Sequence, residues 1–179
     1  MIKKILIAVA VLIAGFCVVA AMQPADFRIV RTTTISAPQE AVFGLVNDFH
    51  QWEKWSPWAK MDPSMKTTYS GAPSGVGSSY AWEGNSQVGS GQMTLVENHV
   101  ADRVGIKLEF LKPMPASNMA VFTFKPEGSA TAVTWEMTGV NGFMGKAFGL
   151  IMNIDKLVGA DFEKGLAQMK AVAESAPKQ

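Results

Sequence analysis

The most constraining feature of the sequence is a change in hydrophobic period near residue 140. Before this point, residues 103–111 alternate between apolar and polar side chains, as a half-buried strand does. After it, from Phe143 to about Ala173, apolar side chains recur at steps of three and four residues. This spacing predicts an amphipathic helix of about 30 residues. The chain must therefore pair a sheet with one long C-terminal helix.

Seven segments have the composition of strands, since each is bounded by glycine, proline, serine or asparagine. Two short helices are expected after the first strand. One begins at a capping box formed by Ser36 and Gln39, and the other covers Asp48 to Trp55. The strands are expected at Phe27–Ile35, Met65–Ser70, Ser78–Glu83, Val88–Asn98, Arg103–Leu111, Asn118–Lys125 and Thr131–Gly139.

An apolar run at the N-terminus predicts a membrane segment. Lys3 and Lys4 precede the run Ile5–Met22, which would span about 27 Å as a helix, close to the thickness of a bilayer core. The run is longer than the apolar region of a signal peptide, so we favour an uncleaved anchor. The alternative is a cleaved signal peptide, with Val19 and Ala21 as the small residues before the cleavage site.

The chain is expected to divide into an anchor at residues 1–24, one domain at 25–175 and a disordered tail at 176–179. The two lysines at the start favour a single-pass protein of the cytoplasmic (inner) membrane of a bacterium, with its domain on the extracytoplasmic side. A formal net charge of +1, with 17% charged residues, argues against nucleic acid as a partner. The one cysteine, Cys17, lies in the apolar run, which leaves the domain without a disulfide or a thiolate nucleophile.

Motifs for metal, cofactor or nucleophile chemistry are lacking in the sequence. His50 and His99 are the two histidines and lie in distant segments, so no zinc site is expected. Gly75-Val76-Gly77 leads into a strand rather than a helix, which excludes the dinucleotide fingerprint. No Gly-x-Ser-x-Gly elbow occurs. We therefore expect no cofactor and no metal.

Acid and base candidates each have a simpler structural interpretation. Asp48 and His50 lie two residues apart, and we favour Asp48 as the cap of the following helical turn. Glu136 lies on the opposite face of its predicted strand from Trp135 and is expected to face solvent. The alternation of side chains does not decide which face of its strand Glu83 occupies. The catalytic residues, if there are any, stay unknown. Trp52, Trp55 and Trp58 are interpreted as a packing cluster, with a lid over a cavity as the alternative.

The order of elements and a series of short motifs give the chain a family resemblance. From Phe27 to about Ala173 it resembles the polyketide cyclase/dehydrase branch of the START-like (SRPBCC) superfamily, which has the helix-grip fold. The motifs are weak one by one and fairly specific in this order. They include Ile35-Ser36-Ala37-Pro38, Trp55-Ser56-Pro57-Trp58, Gly75-Val76-Gly77, Trp82-Glu83-Gly84, Thr134-Trp135, Asp161-Phe162 and Gly165-Leu166.

The resemblance implies an α+β domain in which a curved seven-stranded antiparallel sheet grips the C-terminal helix around an apolar cavity. It does not imply one reaction. We expect a membrane-anchored module that binds a hydrophobic small molecule or a lipid. The alternatives are a cyclase/dehydrase-type enzyme and a protein-interaction module with a filled core. The cavity wall is expected to include Trp82, Leu108, Phe110, Trp135, Met137, Ile151 and Ile154.

Overall fold

A computed structural model describes residues 1–175, so the expected tail at 176–179 lies outside the described residues. One 3₁₀ helix, Phe49–Lys54, follows the second α-helix. The helices are α1 (Ile2–Met22), α2 (Gln39–Asn47), α3 (Pro57–Met61), α4 (Phe143–Ile151) and α5 (Ile154–Ser175). The strands are β1 (Asp26–Ile35), β2 (Lys66–Gly71), β3 (Ser78–Glu83), β4 (Ser90–His99), β5 (Arg103–Lys112), β6 (Ala116–Glu127) and β7 (Ala130–Val140).

The strands form one antiparallel sheet in the order β1-β7-β6-β5-β4-β3-β2. The N-terminal strand therefore pairs with the last strand, and Ile29 lies opposite Met137. A register shift in β4 between Leu95 and Glu97 bends the sheet there. The expected α+β fold, with a seven-stranded antiparallel sheet and a long C-terminal helix, is confirmed.

Three details of the helical prediction were wrong. The capping box of Ser36 and Gln39 is not formed, because Pro38 is the N-cap of α2 and the Gln39 side chain donates to Ala101 O and Phe124 O. The C-terminal helix is broken into α4 and α5, because Met152 has an extended backbone and the Asn153 side chain accepts a hydrogen bond from Lys156 N at 2.9 Å. An asparagine in that position starts a new helix. Three short helices, rather than two, follow β1, because Pro57 opens α3 instead of ending the helical region.

One end of the sheet is closed by α2. Phe124 and Val133 of the sheet are fully buried there, as is Val46 of α2. The indole N–H groups of Trp52 and Trp55 donate to the carbonyls of Val46 and Leu45 at 3.0 and 2.8 Å. These bonds satisfy carbonyls at the end of α2, so both indoles lock the short helices onto the core.

The most apolar 18 residues of helix α1 have a mean hydropathy of 3.0, and only 6% of this stretch is buried. Within the described part of the chain it is the one helix whose length and composition would let it cross a membrane. It meets the domain at α4, where Lys146 Nζ donates to the carbonyl of Ala21 at 3.3 Å.

Candidate ligand-binding site

The strand register places five of the seven expected wall residues on the face of the sheet that carries the core. Gly91 of β4 lies opposite Trp82 of β3 and opposite Phe110 of β5. Leu108 is opposite the buried Met93. Since side chains alternate along each strand, these positions share one face with Trp135 and Met137 of β7.

Burial decreases along this concave face from the end covered by α2 to the opposite end. In β7, exposure on this face rises from 0% at Val133 through 3% at Trp135 to 7% at Met137, and Gly139 is half-buried. In β5, Val104 and Ile106 are buried, whereas later side chains on this face are only half-buried. We call the exposed end the mouth. Its side chains are Phe27, Trp82, Leu108, Phe110, Asn118 and Met137.

Aromatic rings fill the space behind the mouth. The rings of Trp135 and Phe162 stack with their centroids 3.9 Å apart and their planes 4° apart. Trp55, Trp58 and Phe122 all pack against the indole of Trp135, with ring centroids 4.8 to 5.8 Å from it. The region beneath α5 is therefore packed core, and on the concave face of the sheet the open apolar surface is confined to the mouth.

A buried donor lies in this packed region. Trp135 Nε1 has no hydrogen-bond partner among the described residues. A buried N–H without a partner costs about 1–3 kcal/mol, so this group would gain from an acceptor that reached it. Asn118 is the amide at the mouth, and its one side-chain contact within bonding distance is a weak one to Met137 Sδ at 3.9 Å.

The indole of Trp82 packs directly over residue 91 of β4, which is possible because that residue is glycine. A Cβ at Gly91 would lie 2.5 Å from Cη2 of that indole. The ring is held by its N–H, which donates to the carbonyl of Val88 at 3.1 Å, and by an edge contact with Phe110. This role of Gly91 depends on the pairing of β3 with β4, which sets residue 91 opposite Trp82.

The other two expected wall residues lie at the junction of α4 and α5. Ile151 is 74% exposed at the end of α4, whereas Ile154 is half-buried and packs against the core. Both line an open surface cavity of about 490 Å³, together with Asn141 and residues 149, 150, 152 and 153. This cavity is at the same end of the domain as the mouth, because Asn141 follows the last residue of β7.

The acid and base candidates either lie away from the mouth or are engaged in hydrogen bonds and ion pairs that stabilise the fold. Asp48 accepts hydrogen bonds from His50 N at 2.9 Å and His50 Nδ1 at 2.8 Å, which makes it the cap of the 3₁₀ helix. Burial raises the pKa of Asp48, but these bonds outweigh burial and hold the pKa below its usual range. Glu136 pairs with Arg28 on the outer face at 2.7 Å, and Glu83 is exposed at the end of β3.

Two tyrosines near the edge of the sheet were not singled out in the sequence. Tyr69 of β2 lies opposite Tyr80 of β3, and the Tyr69 hydroxyl donates to Glu53 Oε1 at 3.0 Å. Burial, followed by the bond to Glu53, raises the pKa of Tyr69 to about 12. Burial also raises the pKa of Tyr80. Both hydroxyls therefore stay protonated at neutral pH. Within residues 1–175, no group of three His, Cys, Asp or Glu side chains could hold a metal ion.

A curved antiparallel sheet with a long helix packed across its concave face defines a helix-grip domain. The chain belongs to the family described as polyketide cyclase / dehydrase and lipid transport, whose match covers residues 26–174. The match includes nearly the whole domain and excludes α1. No match was found among curated proteins.

Solved structures share the fold at low sequence identity. A protein from Chromobacterium violaceum is 16% identical, with a TM-score of 0.60, and the alignment covers 86% of this chain and 100% of that one. The Aha1 dimer from Colwellia psychrerythraea is 14% identical, with a TM-score of 0.60 and coverage of 85% and 99%. CalU16 from Micromonospora echinospora is 17% identical, with a TM-score of 0.55 and coverage of 84% and 77%.

Proposed function

We propose that this protein is a membrane-anchored binding module that holds a hydrophobic small molecule or a lipid at the mouth of its helix-grip domain. The observation that supports this proposal is the half-buried apolar surface formed by Trp82, Leu108 and Phe110 beside the buried Met137. Such side chains at the concave end of a sheet are the usual lining of an apolar ligand site.

The binding energy would come mainly from burial of this surface. Each 100 Å² of apolar surface removed from water contributes about 2.5 kcal/mol before the costs of ordering are subtracted. Asn118, half-buried at the mouth, is the polar side chain that would orient a ligand there. The N–H of Trp135, which has no partner among the described residues, lies deeper in the packed region. A ligand with an apolar body and one or two oxygen acceptors fits this arrangement.

The anchor is supported by the surface of α1. Along this helix, Ala20 is the one buried residue, so its apolar side chains face outward for nearly its full length. A helix that is apolar all round and lies outside the core is the pattern of a membrane span. Lys3 and Lys4 favour a cytoplasmic N-terminus and an extracytoplasmic domain.

A protein-interaction module is the second candidate, and the stacking of Trp135 on Phe162 favours it. If that packed arrangement persists in solution, little space is left for a deep ligand. The enzyme alternative would need an acid or a base at the mouth. Asp48, Glu83 and Glu136 do not supply one, since they cap a helix, face solvent or pair with arginine.

Native mass spectrometry separates the first two candidates. The full chain would be extracted in mild detergent and measured before and after addition of phospholipids. A binding module is expected to carry a lipid-sized mass adduct, or to gain one. A clean apo mass that no lipid shifts would overturn the binding proposal and leave the interaction module.

Matched substitutions locate any adduct. Leu108→Glu places a carboxylate in the mouth and is expected to abolish the adduct. Val100→Glu makes the same change at an exposed position in the turn after β4, at the end of the sheet away from the mouth, and should keep the adduct. Near-ultraviolet circular dichroism would check that both variants keep their aromatic packing, and Phe110→Ser offers a second mouth variant if Leu108→Glu unfolds. An adduct that survives in folded mouth variants would place the ligand elsewhere.

A further inference from the structure

Helix α4 is unusual for a helix of a folded domain, because none of its residues is buried. Its sequence is nonetheless almost wholly apolar, and Lys146 is the one charged residue between Asn141 and Ile154. An amphipathic helix normally turns its apolar side toward the core. The side chains that α4 and the junction leave exposed are Phe143, Met144, Phe148, Leu150, Ile151 and Met152.

This exposed apolar surface continues beyond α4 on both sides. Val140, at the end of β7, is 68% exposed, and Leu157, in the first turn of α5, is 54% exposed. Contiguous apolar patches of this kind on a folded protein mark a contact with another apolar phase.

The position of α4 beside α1 indicates which apolar surroundings its exposed side chains contact. The helix packs beside α1, and Lys146 Nζ reaches the carbonyl of Ala21 one residue before α1 ends. The apolar surface of α4 is therefore continuous with the apolar surface of α1, near the end from which the chain enters the domain. Whatever surrounds α1 also reaches α4.

We propose that α4 lies in the interface of the lipid bilayer, with its apolar side chains at the acyl boundary and the Lys146 ammonium at the level of the headgroups. The inference rests on the proposed anchoring through α1. Short helices with apolar faces and a few cationic groups bind in this plane, and a lysine can extend its charge toward water while its stem stays in the apolar layer.

The same placement turns the mouth toward the membrane. Phe27 of the mouth follows α1 by a few residues, and the cavity at the junction of α4 and α5 reaches Ile154, which packs against the core. A lipid could then pass from the bilayer to the mouth along apolar side chains without crossing bulk water.

Depth-dependent fluorescence quenching of the full chain in phosphatidylcholine and phosphatidylglycerol vesicles tests the proposal. In a Cys17→Ala background, Ile151→Cys places an environment-sensitive dye on α4. Val100→Cys places the same dye at an equally exposed apolar position in the turn after β4, at the opposite end of the sheet. Spin-labelled lipids are expected to quench the dye at residue 151 several-fold more than the dye at residue 100.

Labelling the native Cys17 in the otherwise unchanged chain tests the anchor separately. If the dye at residue 17 is quenched and the dye at 151 behaves like the dye at 100, the interfacial position of α4 is overturned while the anchor stands. If the dye at 151 is quenched and the dye at 17 is not, α4 docks on the bilayer without a membrane-spanning α1. Absence of quenching at both positions overturns both proposals.

Discussion

The indole of Trp135 and the ring of Phe162 stack almost in parallel, with centroids 3.9 Å apart. This contact joins the middle of β7 to the middle of α5 and holds the long helix against the concave face of the sheet. It also closes the deep part of the space in which a ligand might otherwise lie. The close approach depends on Gly165, one turn after Phe162, because a Cβ there would lie 2.9 Å from Cζ3 of the indole.

We expect Gly165→Ala to destabilise the domain by about 1–3 kcal/mol, because the added methyl must push Trp135 away from α5. Gly149→Ala, in α4, is the matched control, since a Cβ there meets nothing within 4 Å. It should be neutral or slightly stabilising, because alanine favours a helix. Denaturant unfolding followed by tryptophan fluorescence measures both. Equal stabilities for the two variants would contradict the proposed contact.

Asp62 is expected to stabilise the turn before β2 through its charge. The carboxylate accepts hydrogen bonds from Ser64 Oγ at 2.7 Å and from Asn85 N at 2.7 Å, which lower its pKa. A lowered pKa means that the stabilisation is present above the unfolded value of about 4 and is lost as the pH falls through the folded value. Asp62→Asn should therefore be less stable than the wild type at neutral pH.

The difference between wild type and Asp62→Asn should start to shrink as the pH falls below about 4 and should vanish below the lowered folded pKa of Asp62, where both chains carry an uncharged side chain at this position. Thermal unfolding over a series of pH values measures the gap. Asp102→Asn changes an exposed turn residue and should follow the wild type at every pH. A gap for Asp62→Asn that stays constant down to acidic pH would show that the charge is not involved.

The two tyrosines of the chain should ionise at a higher pH than a free phenol does. Burial and the bond to Glu53 raise the pKa of Tyr69 to about 12, and burial raises that of Tyr80. Near-ultraviolet phenolate absorbance is therefore expected to stay flat through pH 10, the usual pKa of the phenol. Because these values are raised, the associated stability is present below pH 10 and is lost as the pH rises through the folded values.

Removal of the carboxylate tests the cause of the Tyr69 shift. Glu53→Gln should lower the pKa of Tyr69, because the glutamine carries no negative charge beside the phenol. Glu83→Gln changes an exposed carboxylate at the end of β3 and should leave the titration unchanged. If the two variants give the same curve, burial alone accounts for the late titration.

The N-terminal segment is expected to remain on the mature protein. Intact mass of the protein from bacterial membranes should then equal that of the full chain, 19.3 kDa. The protein should also stay in the pellet after alkaline extraction, because α1 offers a continuous apolar surface to lipid. Cleavage after Ala21, with release of the domain, would replace the anchor with a signal peptide.

Much of the fold was predictable because each strand carries its own local signal. The alternation in residues 103–111 and the turn residues between strands indicated the seven strands. Each observed strand starts and ends within about two residues of its prediction. The break in the C-terminal helix was missed because the apolar period continues through Met152 and Asn153. A capping asparagine inside such a run can be recognised only from its hydrogen bond to Lys156.

The candidate site was predictable in part. Parity along β5 and β7 placed Leu108, Phe110, Trp135 and Met137 on one face, which follows from the period of two in a strand. This alternation does not indicate how far along that face the buried core extends. The sequence alone determined the elements, the apolar N-terminal run and the faces of the strands, because these depend on neighbouring residues. Only the tertiary structure decided that Trp135 fills the space behind the mouth, that Trp82 packs on Gly91, and that α4 lies exposed beside α1. These three features depend on which distant segments of the chain come into contact.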